Sequence, residues 1–125
     1  MSKAKRNIIQ FTYDVEEFIE YIQEEMANKS FNDFALDKKS IGYIERQLEK
    51  IGEAITQIQK LDKDILTKIY NNKSYWEGIK GVRNRLIHEY WGTSIQMIYE
   101  ISVDEMDELL DYIKQIRELE KSQIS

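Results

Sequence analysis

Between Lys3 and Asn28 the apolar residues Ile8, Phe11, Val15, Phe18, Ile22 and Met26 return at alternating steps of three and four. That period gathers them on one stripe of a helix, so the stretch predicts a first helix with one buried face. The following NKSFNDFALDKK breaks the period and reads as a connector that tucks Phe31, Phe34 and Leu36 over the end of the core. A second stripe, Ile41, Ile44, Leu48, Ile51, Ile55 and Ile58, predicts a long second helix. LDKDILTKIYNN predicts a short helix with Ile65, Leu66 and Ile69 facing inward, ended by Asn71 and Asn72, a residue type that tolerates a left-handed helix exit.

Ser74 and Glu77 have the spacing of a capping box and predict the start of a third main helix. Its inner face is Trp76, Ile79, Val82, Leu86 and Ile87, and Gly92 is its expected stop. Ser94 is expected to cap a short turn through IQMIYEI. Ser102 with Glu105 repeats the capping-box spacing and opens a last helix carrying Val103, Met106, Leu109, Leu110, Ile113 and Ile116, with LEKSQIS as a fraying tail. No strand-like alternation, repeat or low-complexity linker interrupts this order. The predicted fold is all-α: a single domain, residues 1–125, built as an up-and-down bundle of four main helices with short helical connectors.

Length supports this picture, since a chain of 125 residues can bury one core. Cysteine is absent, which excludes disulfides and thiolate metal sites. No apolar run approaches the ~20 residues needed to span a bilayer and no signal-peptide pattern follows Met1, so a soluble cytoplasmic protein is expected. The formal charge of -5 argues against a protein that coats nucleic acid with its whole surface. Contact with RNA must be local. Lys73, Lys80, Arg83 and Arg85 supply a modest basic patch, with Glu77 and Glu89 the only acids from 73 to 90; the plainer reading of that patch is a solvated helix face.

The chemical inventory is short. There is no glycine-rich phosphate loop, no second histidine for a histidine-based zinc site, no cysteine nucleophile and no G-x-S-x-G turn, and no cofactor is called for. What remains is RNRLIHEY, residues 83 to 90, which holds His88, the one histidine of the chain. Arg83 and Tyr90 are seven residues apart and share a helix face, whereas Arg83 and His88 are separated by about 140° at roughly 100° per residue. Either the helix tightens or ends near His88, or the side chains meet copies from a second subunit about a two-fold axis, the geometry favoured here. A histidine near a helix C-terminus with Glu89 beside it is inclined toward the imidazolium, and an arginine can hold a phosphate through paired N–H donors. Together they suit metal-free RNA cleavage by the ribose 2′-hydroxyl. On these residues alone, a histidine simply hydrogen-bonded at a helix end accounts for the pattern as well.

Arg83, His88 and Tyr90 in the spacing R-x4-H-x-Y resemble the motif of the HepT-like toxins, α-helical ribonucleases of the HEPN superfamily. RQLEKIGEAI and WEGIKGVRNRLIHEY are similar to that family's two characteristic segments, in the same order, and the likeness runs from about residue 4 to residue 116. Tyr75 replaces a frequent proline and Tyr99 a common tryptophan, neither within the motif. The resemblance implies a homodimer whose cleft holds Arg83 and His88 of each chain as catalytic groups, with Asn84 orienting the arginine or the phosphate. It implies endonucleolytic, metal-independent cleavage of RNA. It also implies a cognate nucleotidyltransferase antitoxin that silences the toxin by transferring AMP to Tyr90, with Arg85 and Lys80 steering either ligand.

Glu53 is expected either to hold the Arg83 guanidinium or to be an ordinary exposed carboxylate. Gly52 and Ala54 are expected to permit close helix approach, and Trp76 and Trp91 to pack in the core or at a dimer interface. A second function fits the same residues: a non-catalytic substrate-binding or regulatory partner subunit of a nucleotidyltransferase.

Overall fold

A computed structural model describes residues 6–82 and 91–124. All regular structure among them is helical: α1 (Ile8–Met26), α2 (Phe31–Ala35), α3 (Lys38–Leu61), α4 (Ile65–Ile69), α5 (Lys73–Lys80), α6 (Trp91–Glu100), a π-helical turn (Ile101–Glu105) and α7 (Met106–Ile124). The all-α fold is as the periodicity predicts. None of the described helices is long and apolar enough to cross a membrane.

The central layer is α1 packed between α3 and α7. Contacts along α1 give the chain directions. Glu25 near its end meets Ser40 at the start of α3, whereas Lys50 lies over Phe18 further back. Gln23 likewise meets Asp107 at the start of α7, and Glu16 meets Arg117 near the far end. Both neighbours therefore run antiparallel to α1, as short connections and an up-and-down order require.

The α3 stripe is buried as predicted, Ile44, Ile55 and Ile58 completely. On α1 the line shifts: Ile8, Thr12, Val15, Ile19, Ile22 and Met26 are buried, while Phe11 and Phe18 lie half-buried along the edge. Thr12 can be buried because both functions of its hydroxyl are used. It donates to the Ile9 carbonyl at 2.6 Å and accepts from Arg117 Nε at 3.0 Å. Arg117 is itself buried, pairing with Glu16 and placing its guanidinium carbon 3.8 Å from the centre of the Tyr13 ring.

Several boundaries depart from the sequence expectation. The connector contains α2, capped by Ser30, and only Phe34 of its three apolar residues is buried; Phe31 is 38% and Leu36 87% exposed. Asn71 and Asn72 do not make a left-handed exit. Asn72 is extended and caps α5 by accepting from the Tyr75 amide at 3.0 Å, so the helix starts one residue before Ser74 and Glu77 pairs with Lys80 instead of closing a capping box. Among the described non-glycine residues the left-handed position is Asn28, just beyond α1, with φ 60°. Gly92 and Ser94 lie inside α6. A glycine costs a helix only about 1 kcal/mol, and burial of Ile95 and Ile98 one turn on outweighs that. Ser102 also caps nothing: its hydroxyl bonds back to the Ile98 carbonyl at 2.7 Å, α6 continues through the π turn into α7, and Val103 faces solvent. The expected fraying tail is helical to Ile124.

At one end of the bundle, Lys29 bonds Glu25 at 2.8 Å and the Ser40 hydroxyl at 3.0 Å, and that hydroxyl donates to Glu25 at 2.7 Å. The hydrogen bond from Lys29 and then that from Ser40 hold the Glu25 carboxyl below its ordinary range. The start of α5 is fixed by an aromatic cluster: Tyr70 stacks on Tyr112 of α7 at 4.8 Å, and Tyr75 lies edge-on to both Tyr70 and Trp76. The Trp76 indole donates to the Tyr70 carbonyl at 2.9 Å. The Tyr75 hydroxyl is buried with no hydrogen-bond partner among the described residues, and desolvation, followed by the charge of Glu108, raises its pKa well above the usual phenol value.

Two consequences are measurable. Tyr75→Phe removes an unpaired buried hydroxyl and should stabilise the fold by about 1 kcal/mol, read from urea unfolding at neutral pH. Because the folded-state pKa is the higher one, the wild type keeps the neutral-tyrosine contribution in full below pH ~10 and loses it as pH rises beyond that. The phenylalanine variant should therefore lose stability less steeply in alkaline buffer, and an unaltered slope with no gain at neutral pH would refute the assignment.

Candidate active-site groove

The predicted motif residues Arg83, Asn84, Arg85, His88 and Tyr90 lie outside the described residues, as do the expected inner-face residues Leu86 and Ile87. The structure does describe the residues on either side. Trp76, Ile79 and Val82 are buried just upstream, and α6 begins at Trp91 just downstream. The indole of Trp76 belongs to the core, as expected.

Close packing of α5 on α3 depends on Gly52. A Cβ there would lie 3.0 Å from the Lys80 carbonyl oxygen and 3.2 Å from that of Ile79, both backbone atoms that cannot swing aside. The glycine in IGEA thus lets the last turn of α5 rest directly on α3. Lys80 is half-buried there, its ammonium bonded to the Gln59 side-chain oxygen and to Glu77 at 2.9 Å.

Beside this junction lies a groove of about 490 Å³, bordered by Arg46, Lys50, Glu53, Gln57, Lys60 and Lys80 among others. Lys80 and Glu53, singled out from the sequence, therefore border one depression. Glu53 is exposed and forms no ion pair among the described residues. Arg46, Lys50, Gln57 and Lys60 were not singled out. The signal that finds them is the polar counterpart of the apolar stripe, since positions 46, 50, 53, 57 and 60 repeat at the same three- and four-residue steps on the outer side of α3. A second depression of about 300 Å³ adjoins the first through Lys50, Glu53 and Gln57, and its other wall is Phe11 and Phe18 of α1.

Comparison with known proteins gives this arrangement a context. The family model described as Ribonuclease HepT-like matches residues 15–116. A protein of Caldanaerobacter subterraneus subsp. tengcongensis named as a candidate RNase is 36% identical over 102 residues, covering 82% of this chain and 87% of its own. Another candidate RNase, from Methanocaldococcus jannaschii, is 31% identical over 117 residues, covering 94% of this chain and 90% of its own. A probable ribonuclease HepT of Thermococcus cleftensis is 29% identical over 113 residues, covering 90% and 98%. No match to a solved structure reached significance. The family match spans both the groove-forming helix α3 and the single-histidine motif, and the chain belongs to the HepT-like ribonuclease family.

Proposed function

We propose that this chain is the toxin of a toxin–antitoxin pair, a metal-independent endoribonuclease that works as a homodimer through Arg83 and His88. The observation that carries the proposal is the position of the chain's one histidine within R-x4-H-x-Y, in a chain matched to a ribonuclease family across residues 15–116. The neutral imidazole of one His88 takes the proton from a ribose 2′-hydroxyl, whose oxygen then attacks the adjacent phosphorus. The bond to the 5′-oxygen breaks, and that oxygen takes a proton from the imidazolium of the second copy. Arg83 holds the phosphoryl oxygens as their charge grows, and Asn84 orients the arginine or the phosphate. The products are a 2′,3′-cyclic phosphate and a free 5′-hydroxyl.

A cognate nucleotidyltransferase antitoxin switches this off by transferring AMP from ATP to Tyr90: the phenol oxygen loses its proton and bonds the α-phosphorus as pyrophosphate leaves. The added nucleotide brings phosphate charge and bulk to the arginines that RNA needs, and Arg85 and Lys80 steer either ligand. The test is incubation of the purified protein with single-stranded RNA in excess chelator. Fragments ending in cyclic phosphate are expected; intact RNA under all conditions would favour a non-catalytic partner subunit of the nucleotidyltransferase, the reading that the acidic net charge supports. With the antitoxin and ATP, mass spectrometry should find AMP on the peptide containing Tyr90, and an unmodified tyrosine refutes the regulatory half.

A further inference from the structure

We infer that the groove along the outer side of α3 is a track for the backbone of single-stranded RNA, holding nucleotides beyond the scissile phosphate. The inference rests on the ribonuclease reading above for why RNA is present, but on α3 alone for where it lies. Charge is the first argument. Arg46, Lys50, Lys60 and Lys80 line the groove against Glu49 and Glu53. The lining therefore carries +2 on a chain of formal charge -5, leaving -7 on everything else. On such a body an approaching polyanion is repelled broadly and drawn to this concavity.

The second argument is that three of the four cations, Arg46, Lys50 and Lys60, are not neutralised locally, whereas Lys80 is paired with Glu77. Glu49 stands three residues after Arg46 and Glu53 three after Lys50, a spacing at which helical ion pairs commonly close. Neither pair closes, and Arg46, Lys50 and Lys60 form no ion pair among the described residues. Lys50 instead lies 5.6 Å from the centre of the Phe18 ring. These side chains can therefore take phosphate oxygens without first breaking a salt bridge, and the exposed Glu53 carboxylate between them can accept from ribose hydroxyls.

Dimensions and neighbours agree. Arg46 to Lys60 is a rise of roughly 21 Å at ~1.5 Å per residue, enough for a short run of nucleotides. Lys80, three residues before Arg83 in the sequence, borders the same groove. The side wall offers the half-buried rings of Phe11 and Phe18, and cations beside aromatic rings are the combination that binds single strands without reading their sequence.

The probe is a short fluorescent oligoribonucleotide with 2′-O-methyl riboses, which cannot be cleaved by 2′-hydroxyl attack, titrated by anisotropy at several salt concentrations. Arg46→Ala/Lys50→Ala/Lys60→Ala should weaken binding by about tenfold or more and make the slope of log affinity against log salt shallower by about 2, at ~0.7 per lost phosphate contact. The charge-matched control Lys38→Ala/Lys63→Ala/Lys114→Ala removes exposed cations elsewhere and should change both quantities far less. Equal effects of the two triple variants overturn the inference, as does a wild type that does not bind the probe. So does unchanged binding accompanied by a lower sedimentation mass, which would make the groove a surface between copies of the chain. If the wild type binds the probe through the track yet leaves ordinary RNA intact, the groove stands and the ribonuclease mechanism falls.

Discussion

His88→Ala is expected to slow RNA cleavage by about 10²- to 10⁴-fold, the usual range for loss of a general acid–base group. The chain has one histidine, so no neighbouring imidazole can substitute. Arg83→Ala should cause a loss of about 10²- to 10³-fold by leaving the phosphoryl charge unopposed. The two losses differ in their pH signature. Without the imidazole the neutral-pH dependence of the rate disappears, whereas without the guanidinium it persists at a lower rate. Single-turnover rates on excess protein across pH 5 to 9 separate chemistry from binding. A His88→Ala protein that cuts RNA within about tenfold of the wild-type rate would remove the histidine from the mechanism.

The largest effect on stability is expected at the buried pair that joins α1 to α7. Glu16→Ala leaves the Arg117 guanidinium buried without its counter-charge, a change that typically costs about 3–5 kcal/mol. Glu16 retains some exposure, so the lower end of that range applies. The double variant Glu16→Leu/Arg117→Leu should be distinctly more stable than Glu16→Ala, because both charges leave the interior together. Urea unfolding of the two proteins makes the comparison directly. Were Glu16→Ala to cost less than about 1 kcal/mol, the pair would be behaving as an exposed surface bridge.

Much of the helical core was legible because apolar periodicity reports burial directly. The α3 stripe from Ile41 to Ile58 emerges intact, and Trp76, Ile79 and Val82 are buried as their spacing implied. Failures occurred where one residue type serves two roles. Ser102 has a capping serine's spacing from Glu105, yet its hydroxyl returns to the Ile98 carbonyl within a continuing helix. Asn72 has the composition of a helix exit and acts as the next helix's entry. Thr12 and Arg117 were invisible to a hydrophobic count, since their burial depends on partners 105 residues apart in sequence. The site divides the same way. The motif was readable from residue spacing, but Arg46, Lys50 and Lys60 look like ordinary solvated positions until α5 comes to rest on Gly52 and gives them a concave setting.

The π turn at Ile101–Glu105 sets which side the last helix turns to the bundle. It carries one residue more than the α-helical repeat, so the helix before it and the helix after it present different sides to the bundle: α6 toward α2 and α3, α7 toward α1 and α4. Winding the same residues as ordinary α-helix, with none removed, would swing every downstream side chain by up to about 100°. Leu109, Ile113 and Ile116 would then turn away from α1, so the extra residue held in the turn is what keeps the last helix seated.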